Sequence, residues 1–316
     1  MRAHGTTDAH LDAIRQLALA ADVALLTAAP IDFFMVKGPV LAAVYPRPED
    51  RRYRDLDVVV APHAVDAAIR AVSALGGQLL DANWDAALRD RWGQVHLRMP
   101  HGTMVDLHWH LVNMGRTRDT LAVDMQDAWR DLRTVEVPGG SVQTLSVTNT
   151  VVHVAMHAAL GGAWQARWFS DIQAFTRAHD IDWADVVERA KSWRVGRLVG
   201  VALLRAATLG DATVPADVIR RLLACPLART LVVGIDRMWP PTAASHDWSP
   251  ARLWPHLLRD SALDTVRAAA WRIERRTRNG VRGFWHGRTM PHEMVPSGTD
   301  ATRQRYFELV AAGALT

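Results

Sequence analysis

The chain has 316 residues, a 49% hydrophobic content and a formal charge of +4, which gives room for two domains with a sizeable core. No run of eighteen apolar residues occurs, so no membrane span is expected, and the small positive charge leaves no clear nucleic-acid footprint. The single Cys225 excludes an internal disulfide and fits a reducing cytoplasm; the acidic, helix-periodic start "MRAHGTTDAHLDAIRQ" lacks the apolar core of a signal peptide.

Residues 7–27 predict an amphipathic helix, with Leu11, Ile14, Leu17, Leu19, Val23 and Leu26 near its period. "IDFFMVKG" predicts a short buried strand closed by Gly38, and Pro39 then opens a short helix. "DLDVVVAP" is the next strand, and Pro62 starts a helix that stops at Gly76-Gly77. "QVHLRMPHGTMVDLHWHL" predicts a hairpin about Pro100-His101-Gly102, with Val105, Leu107, Trp109 and Leu111 on one face and Asp106, His108 and His110 on the other. A second hairpin turns at Gly139-Gly140. From residue 146 the periodicity is helical. Domains are therefore expected at 1–145 (mixed α/β, with the N-terminal helix) and 146–316 (helical, with an irregular tail from Asn279).

The chemistry concentrates in "RDLDVVV". Side chains at i and i+2 of a strand share a face, so Asp55 and Asp57 stand side by side while Leu56 and Val58 point into the core. Two such carboxylates repel, and a divalent cation between them is the plainest remedy. Asp106 on a later strand supplies a third carboxylate, which makes a two-metal site for displacement at phosphorus. Only Lys37 and Lys191 among 37 basic residues are lysine. Lys37, Arg51 and Arg54 are placed to neutralise phosphate charge, and Gly38 to admit a triphosphate close to the backbone.

"VKG…LAAVYP…R…DLDVVV", then "VDLHWHL", "HVAMHAA" and "RWFSDIQAF" resemble the uncharacterised nucleotidyltransferase family of the polymerase-beta-like superfamily, over roughly residues 30–180. Lys37-Gly38 stands where that superfamily usually has Gly-Ser. The resemblance implies an α+β fold, a small mixed-sheet palm followed by an all-helical domain. It also implies Asp55, Asp57 and Asp106 as metal ligands and catalytic residues, Mg2+ or Mn2+ as cofactor, and transfer of a nucleoside monophosphate from an NTP. The acceptor stays open between a small molecule, a peptide or protein, and an RNA end.

His153 and His157, at i and i+4, have a spacing able to share zinc but no third ligand; they and His108 are expected at substrate or at the domain junction. Two other classes remain. A non-catalytic palm would bind nucleotide or a partner without turnover. A metal-dependent glycosyltransferase also uses Asp-x-Asp, but needs a nucleotide-binding region upstream of the pair, where only 54 residues stand. No P-loop motif occurs.

Overall fold

The structure is a computed structural model, and it describes residues 3–224, 226–241, 249–286 and 291–315; Cys225 lies outside them. The chain folds as two compact units, Met1–Gly115 with Asp131–Leu145 and Met290–Thr316, and Arg116–Arg130 with Ser146–Thr289. The segment after 290, read from sequence with the helical part, thus belongs to the sheet unit, and residues 116–130 to the helical one.

The first unit contains α1 (Ala3–Ala28), β1 (Phe33–Val36), α2 (Gly38–Ala42), β2 (Asp55–Val60), α3 (Val65–Ala74), β3 (Gln78–Leu79), α4 (Trp84–Asp90), β4 (Gln94–Arg98) and β5 (Met104–His108). After α5 (Gly115–Arg118) and α6 (Met125–Arg130) it resumes with β6 (Leu132–Val137) and β7 (Gly140–Leu145). Among the described residues seven strands form one mixed sheet in the order β3-β4-β5-β2-β1-β7-β6. β2 runs parallel to β5 and β1 to β7; the other neighbours are antiparallel. Both expected hairpins form. Gly139, at φ 104°, is required at its turn, because a Cβ there would stand 2.2 Å from the Ala20 carbonyl oxygen of α1.

Alternation along the strands sorts the two faces. Met35, Leu56, Val58, Val60, Val95, Leu97, Val105 and Leu107 join one hydrophobic cluster with Leu19, Val23 and Leu26 of α1, Val65, Ile69 and Val72 of α3, and Trp84 of α4. Ile14 and Leu17 were expected in the apolar stripe of α1 but are exposed. The helix turns Asp22 inward instead, and its carboxylate accepts the backbone N–H groups of His101 and Thr103 across the β4–β5 turn.

The tail expected to be irregular carries α15 (Asp300–Ala311), which opens with a capping box at Thr299 and Thr302. Its Tyr306 is fully buried beside Trp84 and Trp109 and donates its hydroxyl to the Trp92 carbonyl, 3.0 Å. Ahead of it, the Glu293 carbonyl accepts from the N–H groups of Ala82 and Asn83, and Ser297 pairs with Ala82 and Trp84. Residues 291–297 therefore strap the loop between β3 and α4.

The second unit is helical: α7 (Val147–Leu160), α8 (Ala166–Ala178), α9 (Trp183–Ser192), α10 (Gly196–Leu209), α11 (Ala216–Leu222), α12 (Pro226–Met238), α13 (Pro250–Leu257) and α14 (Ala262–His286), with α5 and α6. Arg205 of α10 is wholly buried at its centre. Its guanidinium forks onto Asp236 at 2.9 and 2.7 Å and donates to the carbonyls of Gly162, Ala163 and Ala251. Among the described residues no helix is long and apolar enough to cross a membrane.

Candidate active site

The face of the sheet opposite the hydrophobic cluster carries the polar residues. Parallel pairing sets Asp57 of β2 directly against Asp106 of β5, and antiparallel pairing sets His96 of β4 against Asp106 on the other side. Directly opposed residues project from the same face, so Asp57, Asp106 and His96 form a row across three strands. His108, two residues after Asp106, joins that face. One donor atom each from Asp57, Asp106 and His108 lies within 4.8 Å of the others.

Asp57 is 4% exposed. Its Oδ1 accepts from His108 Nε2 at 3.1 Å and forms an ion pair with Lys37 Nζ. Burial pushes the Asp57 carboxyl up, but Lys37 and His108 outweigh it and hold the group well below the usual carboxylate range. The repulsion expected between Asp55 and Asp57 is thus relieved within the protein. Asp55, at the exposed start of β2, shares the face but stands outside the cluster of three donors. Asp106 is the carboxyl pushed up, first by burial and then by the charges of Asp57 and Asp55, against the opposing pull of His108 and His96.

Lys37 reaches Asp57 from an unusual backbone conformation, φ 54° and ψ −129°, which a side-chain-bearing residue rarely adopts. Gly38 follows at φ 23°, and a Cβ on it would meet the Asp55 carbonyl oxygen at 3.3 Å. The turn after β1 therefore lies close over the entry to β2. Arg51 is buried and donates to the Arg52 carbonyl at 2.8 Å, whereas Arg54 is exposed. His153 and His157 lie on α7 of the helical unit with ring centres 6.2 Å apart, and His157 meets the Trp168 ring edge-on. Among the described residues they belong to no group of three donors able to share a cation.

The sequence reading did not single out His96 or Asp81. The buried Asp81 carboxylate accepts the His96 backbone N–H at 2.6 Å and lies 3.0 and 3.1 Å from His96 Nδ1. Burial alone would lower the His96 imidazole; the Asp81 hydrogen bond, with the charges of Asp81, Asp106 and Glu293, raises it to about 9. The signal was present in the hairpin, since a turn centred on His101 brings residue 96 opposite residue 106.

The family described as Uncharacterised nucleotidyltransferase matches the chain over residues 6–211. The chain belongs to this family. It is accordingly an enzyme of the nucleotidyltransferase class, a transferase whose donor substrate is an NTP. No curated protein gives a significant match. Similar solved structures include an antigenic nucleotidyltransferase-like protein from Paracoccidioides brasiliensis, 15% identical, covering 66% of this chain and 93% of that one, with a TM-score of 0.41. The antibiotic-resistance factor ANT(2'')-Ia is 12% identical over 72% of this chain and 98% of its own, with a TM-score of 0.34. The nucleotidyltransferase toxin MenT4 from Mycobacterium tuberculosis H37Rv is 13% identical over 94% and 91%, also with a TM-score of 0.34.

Proposed function

We propose that this nucleotidyltransferase moves a nucleoside monophosphate from ATP or another NTP to an acceptor hydroxyl or phosphate, with a divalent cation, Mg2+ or Mn2+, at the Asp57–Asp106–His108 cluster. The observation that carries the reading is the in-register pairing of Asp57 with Asp106, which converges two carboxylates and an imidazole within 4.8 Å. Two hard oxygen donors and one nitrogen suit either ion. Asp57 and Asp106 would hold the cation, with Asp55 beside them and His108 completing or orienting the set. A bound cation supplies Lewis-acid polarisation of the phosphoryl oxygens and offsets the charge of the leaving pyrophosphate.

The chain's own residues then have separable tasks. Lys37 sets an ammonium beside the carboxylates, where a triphosphate needs a compact positive charge. Gly38 lets the triphosphate approach the backbone, and the exposed Arg54 neutralises its outer charge. The acceptor oxygen attacks the α-phosphorus, the bond to the bridging oxygen of the β-phosphate breaks, and pyrophosphate departs. Where the acceptor is a hydroxyl, Asp106, set opposite Asp57 at the centre of the row, is the carboxylate placed to take its proton. His157, the less buried of the two α7 histidines, is assigned to substrate contact, and the lone Cys225 fits work in the cytoplasm. The acceptor class stays open between a small molecule, a protein and an RNA end.

The test is incubation of pure protein with each α-labelled NTP, Mg2+ or Mn2+ and cell extract, with Asp57→Asn and Asp106→Asn as controls. Label should enter one fraction of the extract and be lost in both variants. Transfer unaffected by either substitution, or no transfer from any NTP, would overturn the reading.

A further inference from the structure

Beyond the carboxylates lies a chain of groups that the proposed reaction does not use. Asp81 grips His96 at two points, through its backbone N–H at 2.6 Å and its Nδ1 at 3.0 Å. That grip directs the opposite ring nitrogen along the sheet face, where Nε2 stands 3.9 Å from Asp106 Oδ1, with the Gln94 amide at 3.1 Å. Asp81 is itself held, because it sits at the head of the loop strapped by Glu293 and Ser297, and the Asn83 amide donates to the His292 carbonyl at 3.0 Å. The row then reads Asp81, His96, Asp106, Asp57, Lys37, with carboxylates and nitrogen-bearing side chains alternating except where Asp106 and Asp57 meet. That meeting point is the proposed cation site.

We propose that His96 is a positioning residue for Asp106, aimed by Asp81 and by the strap of residues 291–297, and that it fixes the direction in which Asp106 offers its oxygen to a cation. The inference rests on the function proposed above. Partners behind a ligand commonly fix its orientation, and their loss costs about 10- to 100-fold in affinity or activity. His96 fits that role geometrically. Asp57 is fixed by Lys37 and His108; Asp106 shares His108 in the same cluster, and on its other side, across β4, His96 Nε2 stands 3.9 Å away.

The test uses Mn2+ alone as probe, with binding followed by electron paramagnetic resonance on the full chain, so that no acceptor is needed. His96→Ala should weaken Mn2+ binding about 10-fold. Two replacements then separate positioning from mere support of the loop. His96→Gln places an amide nitrogen near Nε2, on the Asp106 side, and should recover binding to within about threefold of wild type, if a polar nitrogen filling that position beside Asp106 is what matters. His96→Asn places its amide near Nδ1, satisfying Asp81 only, and should stay near the alanine value. Recovery by Asn but not Gln, recovery by both, or unchanged binding in His96→Ala would overturn the inference while leaving the cation site standing. If circular dichroism shows His96→Ala unfolded, the Gln and Asn pair decides alone. Wild-type protein that binds no Mn2+ would remove the cation site itself, and this inference with it.

Discussion

Asp57→Asn should destabilise the protein even in EDTA, although it removes one carboxylate from an acidic face. Asp57 is 4% exposed and engages Lys37, whose side chain is 19% exposed, and His108. Taking one partner from a fully enclosed ion pair costs about 3–5 kcal/mol, since the other charge is left buried. Lys37 keeps a route to water, so the expected loss falls at or below the bottom of that range, about 2–3 kcal/mol. Asp55→Asn, at an exposed position, should change stability by no more than about 0.5 kcal/mol. The pH dependence gives a second handle. A carboxyl held low in the fold contributes stability that is present above its unfolded value, about 4, and is lost as pH falls toward the folded value. The gap between wild type and Asp57→Asn should therefore be constant from pH 5 to 7 and close below about 4. Urea titration reads it as a fall in midpoint at unchanged slope. The double variant Lys37→Met with Asp57→Asn should recover part of the loss. An Asp57→Asn protein as stable as wild type, or more so, would mean that repulsion from Asp55 and Asp106 outweighs the pairing with Lys37 and His108, and charge compensation at Asp57 would be refuted.

Lys37→Ala should cut nucleotidyl transfer by about 10²-fold or more, roughly 3 kcal/mol, with Lys37→Arg recovering only part because a planar guanidinium does not reproduce a point charge; equal rates would remove Lys37 from the site. His96, raised to about 9 in the fold, contributes stability that is full below about pH 6.5 and is lost as pH rises to about 9, on the order of 1–2 kcal/mol after allowing for solvent screening of a partly exposed ring. Asp81→Asn should flatten that slope in urea midpoints taken from pH 6 to 9.5, and an unchanged slope would refute the pairing. Arg205→Ala should cost about 3–5 kcal/mol by stranding Asp236 and three carbonyls, with Arg205→Lys restoring less than half in the same titration. Gly139→Ala should cost about 3 kcal/mol from its positive φ and its contact with α1, and a neutral result would show that α1 can move away.

Alternation was the most legible feature. "DLDVVV" and "VDLH" each assign one face to carboxylates and the other to the core, and both assignments hold because one-residue slips would bury charge. What alternation cannot say is which strands become neighbours. The parallel pairing of β2 with β5 joins segments some fifty residues apart, and it alone makes Asp57 and Asp106 meet. The charge compensation of Asp57 was equally hidden, since Lys37 comes from the turn after β1 and its reach depends on a backbone conformation that sequence favours only for glycine. The C-terminal helix was masked by Pro291, Pro296 and Gly298 ahead of it, although Thr299 with Thr302 marks its start. His96 could have been found by carrying the hairpin register straight across from Asp106 to the opposite strand.

The strap and α15 also bear on the order in which the protein can become complete during synthesis. The strands that carry Asp57, Asp106 and His96 emerge from the ribosome early, yet Tyr306 and the partners of the Asp81 loop follow only after the whole helical unit has been made. Through that interval the aromatic pocket of Trp84 and Trp109 stands without the ring that fills it. The nascent sheet unit is then a candidate client for chaperones that shield apolar surface, and the loop that carries Asp81 gains its strap only once residues 291–297 have been made.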